Sequence, residues 1–155
     1  GRIEQTSRLR RRMWLGAVLA DVAEGTCSVL EHAYLTKVER AHGLPRGRRQ
    51  VSGRDGAGRS LFRDVVYSGS SPSWRQYVEL DGRLHHDSAR ARDADMERDL
   101  DAALDGADTV RIGYGQVFLR TCATAVKVGR LLQDRGWDGA PVRCPDCATE
   151  SSAGD

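Results

Sequence analysis

Residues 77–86, from Tyr77 to His86, read YVELDGRLHH. Tyr77, Glu79 and Asp81 alternate with Val78 and Leu80, the period-2 pattern of a strand with one face toward a core. Gly82 breaks the pattern, and two adjacent histidines, His85 and His86, follow. Two carboxylates on one side of a half-buried strand repel each other and need a compensating charge. Upstream, "RRQVSGRD", "SLFRDVVY" and "RQYVELDG" are short alternating runs separated by Gly, Ser and Pro clusters, which predicts a three-strand meander. "GRDGAG", Gly53 to Gly58, has neither the lysine nor the strand-to-helix setting of a phosphate-binding loop and reads as a hairpin turn.

The flanking sequence changes period. "RLRRRMWLGAVLADVAEG" places Leu9, Met13, Leu15, Val18, Leu19 and Val22 at helical spacing and stops at Gly25. A second helix opens after Thr26 or Ser28, either a good N-cap, and runs to the turn at Gly43 and Pro45. "SARARDADMERDLDAALDG" carries a thin stripe of Ala91, Met96, Leu100, Ala103 and Leu104, as an exposed helix does. "DTVRIGYG" reads as a fourth strand and "QVFLRTCATAVKVGRLLQDRGW" as a closing amphipathic helix. The order predicts an α/β sandwich: a small mixed four-stranded sheet flanked by helices.

At 155 residues the chain suits one compact core. Its expected divisions are an N-terminal helix over 1–25, the main domain over 26–139 and a cysteine-containing flexible tail over 140–155. Starting at Gly1 and entering helical sequence at once, it is expected to be missing a preceding region. The formal net charge is only +2, but arginines crowd the first half and acidic residues concentrate from Asp81 to Asp108. Arg46, Arg48, Arg49 and Arg54 are the candidate phosphate contacts of a polyanion-facing side, with a solvated arginine face as the alternative. No run approaches the ~20 apolar residues of a membrane span. Four cysteines without a signal-like apolar run ahead of them read as reduced thiols in the cytoplasm.

If the strands holding Asp64 and Glu79 are hairpin partners, Asp64 lies beside Glu79 or Asp81 at one end of the sheet. Oxygen ligands of this kind suit Mg²⁺ or Mn²⁺, and such an ion polarises a phosphodiester. Structural pairing with Arg63, Arg83 and Arg111 is the alternative reading of the same charges.

The pieces "SVLE", "AHGLPRGRRQ", "FRDVVY", "VELDGRLHH", "DMERD" and "TVRIGYGQV", in that order between Cys27 and Trp137, resemble the endonuclease-like domains related to the very-short-patch repair endonucleases, within the PD-(D/E)XK superfamily. The resemblance implies a restriction-endonuclease-like three-layer sandwich with a divalent-metal site at the sheet edge. It implies Asp64 and Glu79 as metal ligands and Glu31 as an acidic contribution from an early helix. It sets Asp81 where the superfamily often has lysine and His85 and His86 where histidine serves catalysis. Asp95, Arg98 and Arg111 fall at polar positions that orient the site. With Lys37 and Lys127 the only lysines, the strand lysine is absent, so a histidine must handle the proton.

The expected function is therefore a divalent-metal-dependent DNA endonuclease. The alternative is a nuclease-fold module without turnover, which binds DNA or serves a toxin–antitoxin or abortive-infection system, with a partner protein or a missing N-terminal winged-helix region. No oligomeric state is read from the sequence. Cys144 and Cys147 form one C-x-x-C, half of a zinc knuckle. Cys27 and Cys122 show no partner spacing, so surface thiols are the default expectation. His32 and His42 read as ordinary surface or packing residues, and Trp14, Trp74 and Trp137 as core or rim anchors, with Trp74 the one candidate base-stacking platform.

Overall fold

The computed structural model describes residues 1–24, 28–54, 60–82, 93, 96–97, 100, 104 and 109–147. Helix α1 spans Arg2–Glu24. Helix α2, Ser28–Ala33, runs directly into a π-helical stretch, Tyr34–Arg40, which brings Tyr34, Val38 and Glu39 to the buried side. Strands β1 (Arg48–Arg54), β2 (Ser60–Ser70) and β3 (Ser73–Leu80) form the expected antiparallel meander. The turn between β2 and β3 is Ser71 and Pro72, joined by a cis peptide. Strand β4 (Thr109–Ile112) adds parallel to β3, giving a mixed sheet in the order β1-β2-β3-β4. Asp93, Met96, Glu97, Leu100 and Leu104 are helical.

The expected single closing helix is two. Helix α3 (Tyr114–Phe118) and helix α4 (Thr121–Arg135) are separated at Leu119 and Arg120. Arg120 leaves helical geometry, with φ −125° and ψ 42°, and its guanidinium reaches Asp93 at 2.6 Å. Gln116 turns back to accept the Gly113 N–H at 3.1 Å, filling an orphan donor at the start of α3.

Alternation explains the sheet. Val65, Tyr67, Val78, Leu80, Val110 and Ile112 point into one core with Leu30, Tyr34, Val38, Val117, Ala125, Val128, Leu131 and Leu132. α4 contributes to that core at i, i+3 and i+7 spacing through Ala125, Val128 and Leu132. Helix α1 departs from the stripe read in its sequence. Leu9, Leu15, Leu19 and Val22 are exposed, whereas Ala17 and Asp21 are buried and Trp14 and Val18 pack at the core edge. Polar bonding selects that face. Buried Asp21 accepts the backbone N–H groups of Val29 at 3.0 Å and Leu30 at 3.2 Å, capping α2, and the Tyr114 hydroxyl at 2.8 Å. α1, α2 and α3 are thus tied through one carboxylate.

Trp74 is half-buried against the core, its ring over Gly69, so it anchors the rim instead of offering a stacking platform. No helix is long and apolar enough to cross a membrane among the described residues.

Candidate functional site

Val65 pairs with Val78 and Val66 with Tyr77, so the antiparallel register sets Asp64 opposite Glu79. Val65 and Val78 are fully buried, and the two carboxylates occupy the other face, both half-exposed. The Leu80 N–H donates to Asp64 Oδ2 at 2.7 Å, which fixes the carboxylate's orientation. Its second oxygen, Oδ1, is 3.5 Å from Gln50 Nε2, and the same nitrogen is 3.3 Å from Glu31 Oε1. Gln50, which sits between Glu31 and Asp64, has a left-handed backbone, φ +49°, on β1. Sequence reading did not identify Gln50, and no local signal marks a glutamine for left-handed geometry. Arg111 is the register partner of Glu79 on β4. Asp81, just past β3, is buried, and its N–H bonds the Ile112 carbonyl at 3.0 Å.

The candidate arginines separate by strand parity. Arg48 pairs with Val66, on the face of Asp64, and is exposed, as is Arg46 in the preceding loop. Arg49 pairs with Val65 and turns inward, where its Nη2 lies 3.0 Å from Glu39 Oε2 and its guanidinium stacks 5.6 Å above Tyr34. Arg49 is therefore committed to the interior. Arg54 ends β1. His85, His86, Asp95 and Arg98 lie outside the described residues. The two lysines are engaged elsewhere: Lys37 sits 5.9 Å from the Phe118 ring centroid, and Lys127 pairs with Glu97.

A second cluster has different chemistry. His42 Nε2 and the Sγ atoms of Cys122, Cys144 and Cys147 lie within 4.8 Å of one another. The Cys122 and Cys144 sulfurs are 3.4 Å apart, Cys144 and Cys147 3.7 Å, and Cys147 to His42 Nε2 3.8 Å. Among the described residues this is the one group in which three or more such ligating atoms converge. His42 is fully buried at the end of the helical turn, and its Nδ1 is 3.1 Å from the Val38 carbonyl. Cys122 is buried in the first turn of α4. Burial opposes ionisation of Cys147, but the Cys144 N–H, the Cys122 and Cys144 thiols and the Arg143 charge outweigh it and hold this thiol below its ordinary pKa. This corrects two expectations: His42 is not an ordinary packing residue, and Cys122 has partners. Cys27 lies outside the described residues.

Residues expected in the tail contribute to the body of the fold. The Val142 N–H donates to the His42 carbonyl at 2.8 Å, and Pro141 packs on Gly129 of α4. Comparison of the chain with known family models, curated proteins and solved structures finds no match to any of them.

Proposed function

We propose that this chain is a metal-dependent phosphodiesterase acting on DNA, with a restriction-endonuclease-like three-layer architecture and its site at the Asp64–Glu79 end of the sheet. The observation that supports it most directly is the register that sets Asp64 opposite Glu79 on one face, with Glu31 drawn toward Asp64 through Gln50. The donor set fits Mg²⁺ or Mn²⁺, because all the groups are hard oxygens. The Gln50 NH2 group, the positive end of the amide dipole, donates from Nε2 at 3.3 Å to Glu31 and 3.5 Å to Asp64 and stands where a cation between them would go. Asp64, Glu79 and Glu31 would hold the ion, which supplies Lewis-acid polarisation of a phosphoryl oxygen when bound.

The protein's own groups have separable tasks. The Leu80 N–H holds Asp64 Oδ2, leaving Oδ1 facing the Gln50 amide. Exposed Arg48, on the same face, and Arg46 hold flanking phosphates, which makes DNA binding strongly salt-dependent. His85 or His86, four and five residues beyond Asp81 in the chain, takes the proton from the attacking water. Asp81, Asp95, Arg98 and Arg111 support the site.

The experiment is plasmid nicking with Mg²⁺ or Mn²⁺, comparing the native chain with Asp64→Ala. Loss of nicking in the variant is expected; equal nicking by both proteins rejects the proposal. One observation favours a second reading, a DNA-binding or toxin–antitoxin module without turnover. Buried Asp81 stands at the lysine position, and both lysines are engaged away from the site. That reading predicts DNA binding that survives EDTA, with no cleavage.

A further inference from the structure

We propose that His42, Cys122, Cys144 and Cys147 form a structural zinc site that fastens residues 141–147 to the body of the fold. It shares no residue with the acidic sheet end and stands whether or not the chain cleaves DNA. The ligands come from three places far apart in sequence: the turn after the π-helical stretch, the first turn of α4, and the Cys144-Pro145-Asp146-Cys147 turn. Distance is the first argument. With Zn–S of ~2.3 Å and Zn–N of ~2.0 Å, a tetrahedral ion holds two thiolates ~3.8 Å apart and a thiolate and an imidazole nitrogen ~3.5 Å apart. Three of the six edges, the sulfur pairs at 3.4 and 3.7 Å and the sulfur–nitrogen pair at 3.8 Å, are close to those values, and all four atoms lie within 4.8 Å of one another. A disulfide requires ~2.05 Å.

The surroundings are arranged for ligation. Nδ1 of His42 donates to the Val38 carbonyl, leaving the Nε2 lone pair directed at the sulfurs, the usual second contact of a metal-bound imidazole. The Cys144 N–H donates to Cys147 Sγ at 3.3 Å, and Pro145 occupies the second position of the turn that creates this contact. Backbone bonding between Val142 and His42 brings the two halves together. Three thiolates and one imidazole are soft donors that select zinc over magnesium, and four protein ligands leave no open position for substrate. Binding would release the three thiol protons to solvent and add its free energy to folding.

The test uses the full chain, purified under reducing conditions from zinc-supplemented medium. Elemental analysis is expected to give one zinc per chain. Cobalt(II) added to the metal-free protein should give tetrahedral d–d bands with thiolate-to-cobalt charge transfer. Cys144→Ser combined with Cys147→Ser should weaken binding by at least about tenfold. His42→Cys should keep the metal and strengthen the charge-transfer band, a change that a merely structural histidine would not cause. Absence of stoichiometric zinc, a cobalt spectrum without charge transfer, or an intact mass showing a disulfide among these cysteines would overturn the proposal. The cobalt titration reads the native site directly, so a variant that fails to fold does not shield it.

Discussion

Replacing Glu39 with alanine removes the acceptor of a buried polar network, and the structure gives the size of the loss. Glu39 is 2% exposed, and its Oε2 receives Arg49 Nη2 at 3.0 Å, the Tyr67 hydroxyl at 2.7 Å and the Gly47 N–H at 3.4 Å. Arg49 Nε and Nη1 are already buried without a hydrogen-bond partner among the described residues, so Glu39 is its compensating charge. Breaking a buried pair from one side costs about 3–5 kcal/mol, because a charge is left uncompensated. For a chain of this size, 1 kcal/mol lowers Tm by ~2–4 °C, so Glu39→Ala should unfold roughly 6–20 °C below the native chain. Removing both charges, as Glu39→Met with Arg49→Met, should restore most of that, since replacing a buried pair by apolar groups of similar volume is often neutral. Thermal and urea unfolding of the native chain, Glu39→Met, Arg49→Met and the Met/Met double variant forms a double-mutant cycle. A coupling below about 1 kcal/mol would refute the reasoning and show Arg49 to be adequately solvated.

The same network orders two further substitutions. Tyr67 has one hydroxyl proton, given to Glu39, so Tyr34 must be the donor across the 2.9 Å contact between the phenols. Burial raises both phenol pKa values, keeping them protonated. Tyr67→Phe loses a bond to a charged acceptor and should cost ~1.5–3 kcal/mol, against ~0.5–1.5 for Tyr34→Phe; equal costs in urea unfolding would reverse the assigned direction. At Glu97, burial raises the pKa but bonds from Lys127 and Gln116, with the Lys127 and Arg120 charges, overcome it and hold the group below its ordinary 4.5. Its stabilisation is present above the unfolded-state value and lost as pH falls through the folded one. Glu97→Gln should therefore be destabilised by about 1 kcal/mol at pH 7, and the gap should close on acidification below ~4.5 in pH-resolved thermal melts. Gly43 has φ +64°, and a Cβ there would lie 3.1 Å from Val142 Cγ2. Gly43→Ala should cost about 1–2 kcal/mol for the left-handed backbone alone and loosen residues 141–147, read as faster amide exchange at Val142.

The sheet was legible because strand parity is a local property. Val65, Tyr67, Val78 and Leu80 alternate with Asp64, Val66, Tyr77 and Glu79, and the opposite faces they take follow directly. Parity also separates Arg48 from Arg49, yet it does not say which face the helices cover, so which arginine turned inward was not readable. α1 misled for a related reason. Its large apolar residues define a stripe, but the face it buries is set by small Ala17 and by Asp21 capping another helix, and a capping partner eight or nine residues ahead leaves no periodic trace.

The two proposed metal sites divide along the same line. At the acidic end, carboxylates on adjacent strands could be paired from the meander alone, whereas Gln50 has a left-handed backbone that its residue type does not announce. At the thiol cluster the sequence displayed one half, the C-x-x-C, and a closed tetrahedral site needs two more soft ligands. Those are drawn from the remaining cysteines and histidines of a chain with four of each. What chooses Cys122 and His42 is the packing of α4 against the π-helical stretch, together with the Val142–His42 backbone bond that returns the chain to that junction. A ligand set assembled by helix packing is a tertiary fact, so its signature in sequence is a deficit: a half-site that local spacing leaves unfinished.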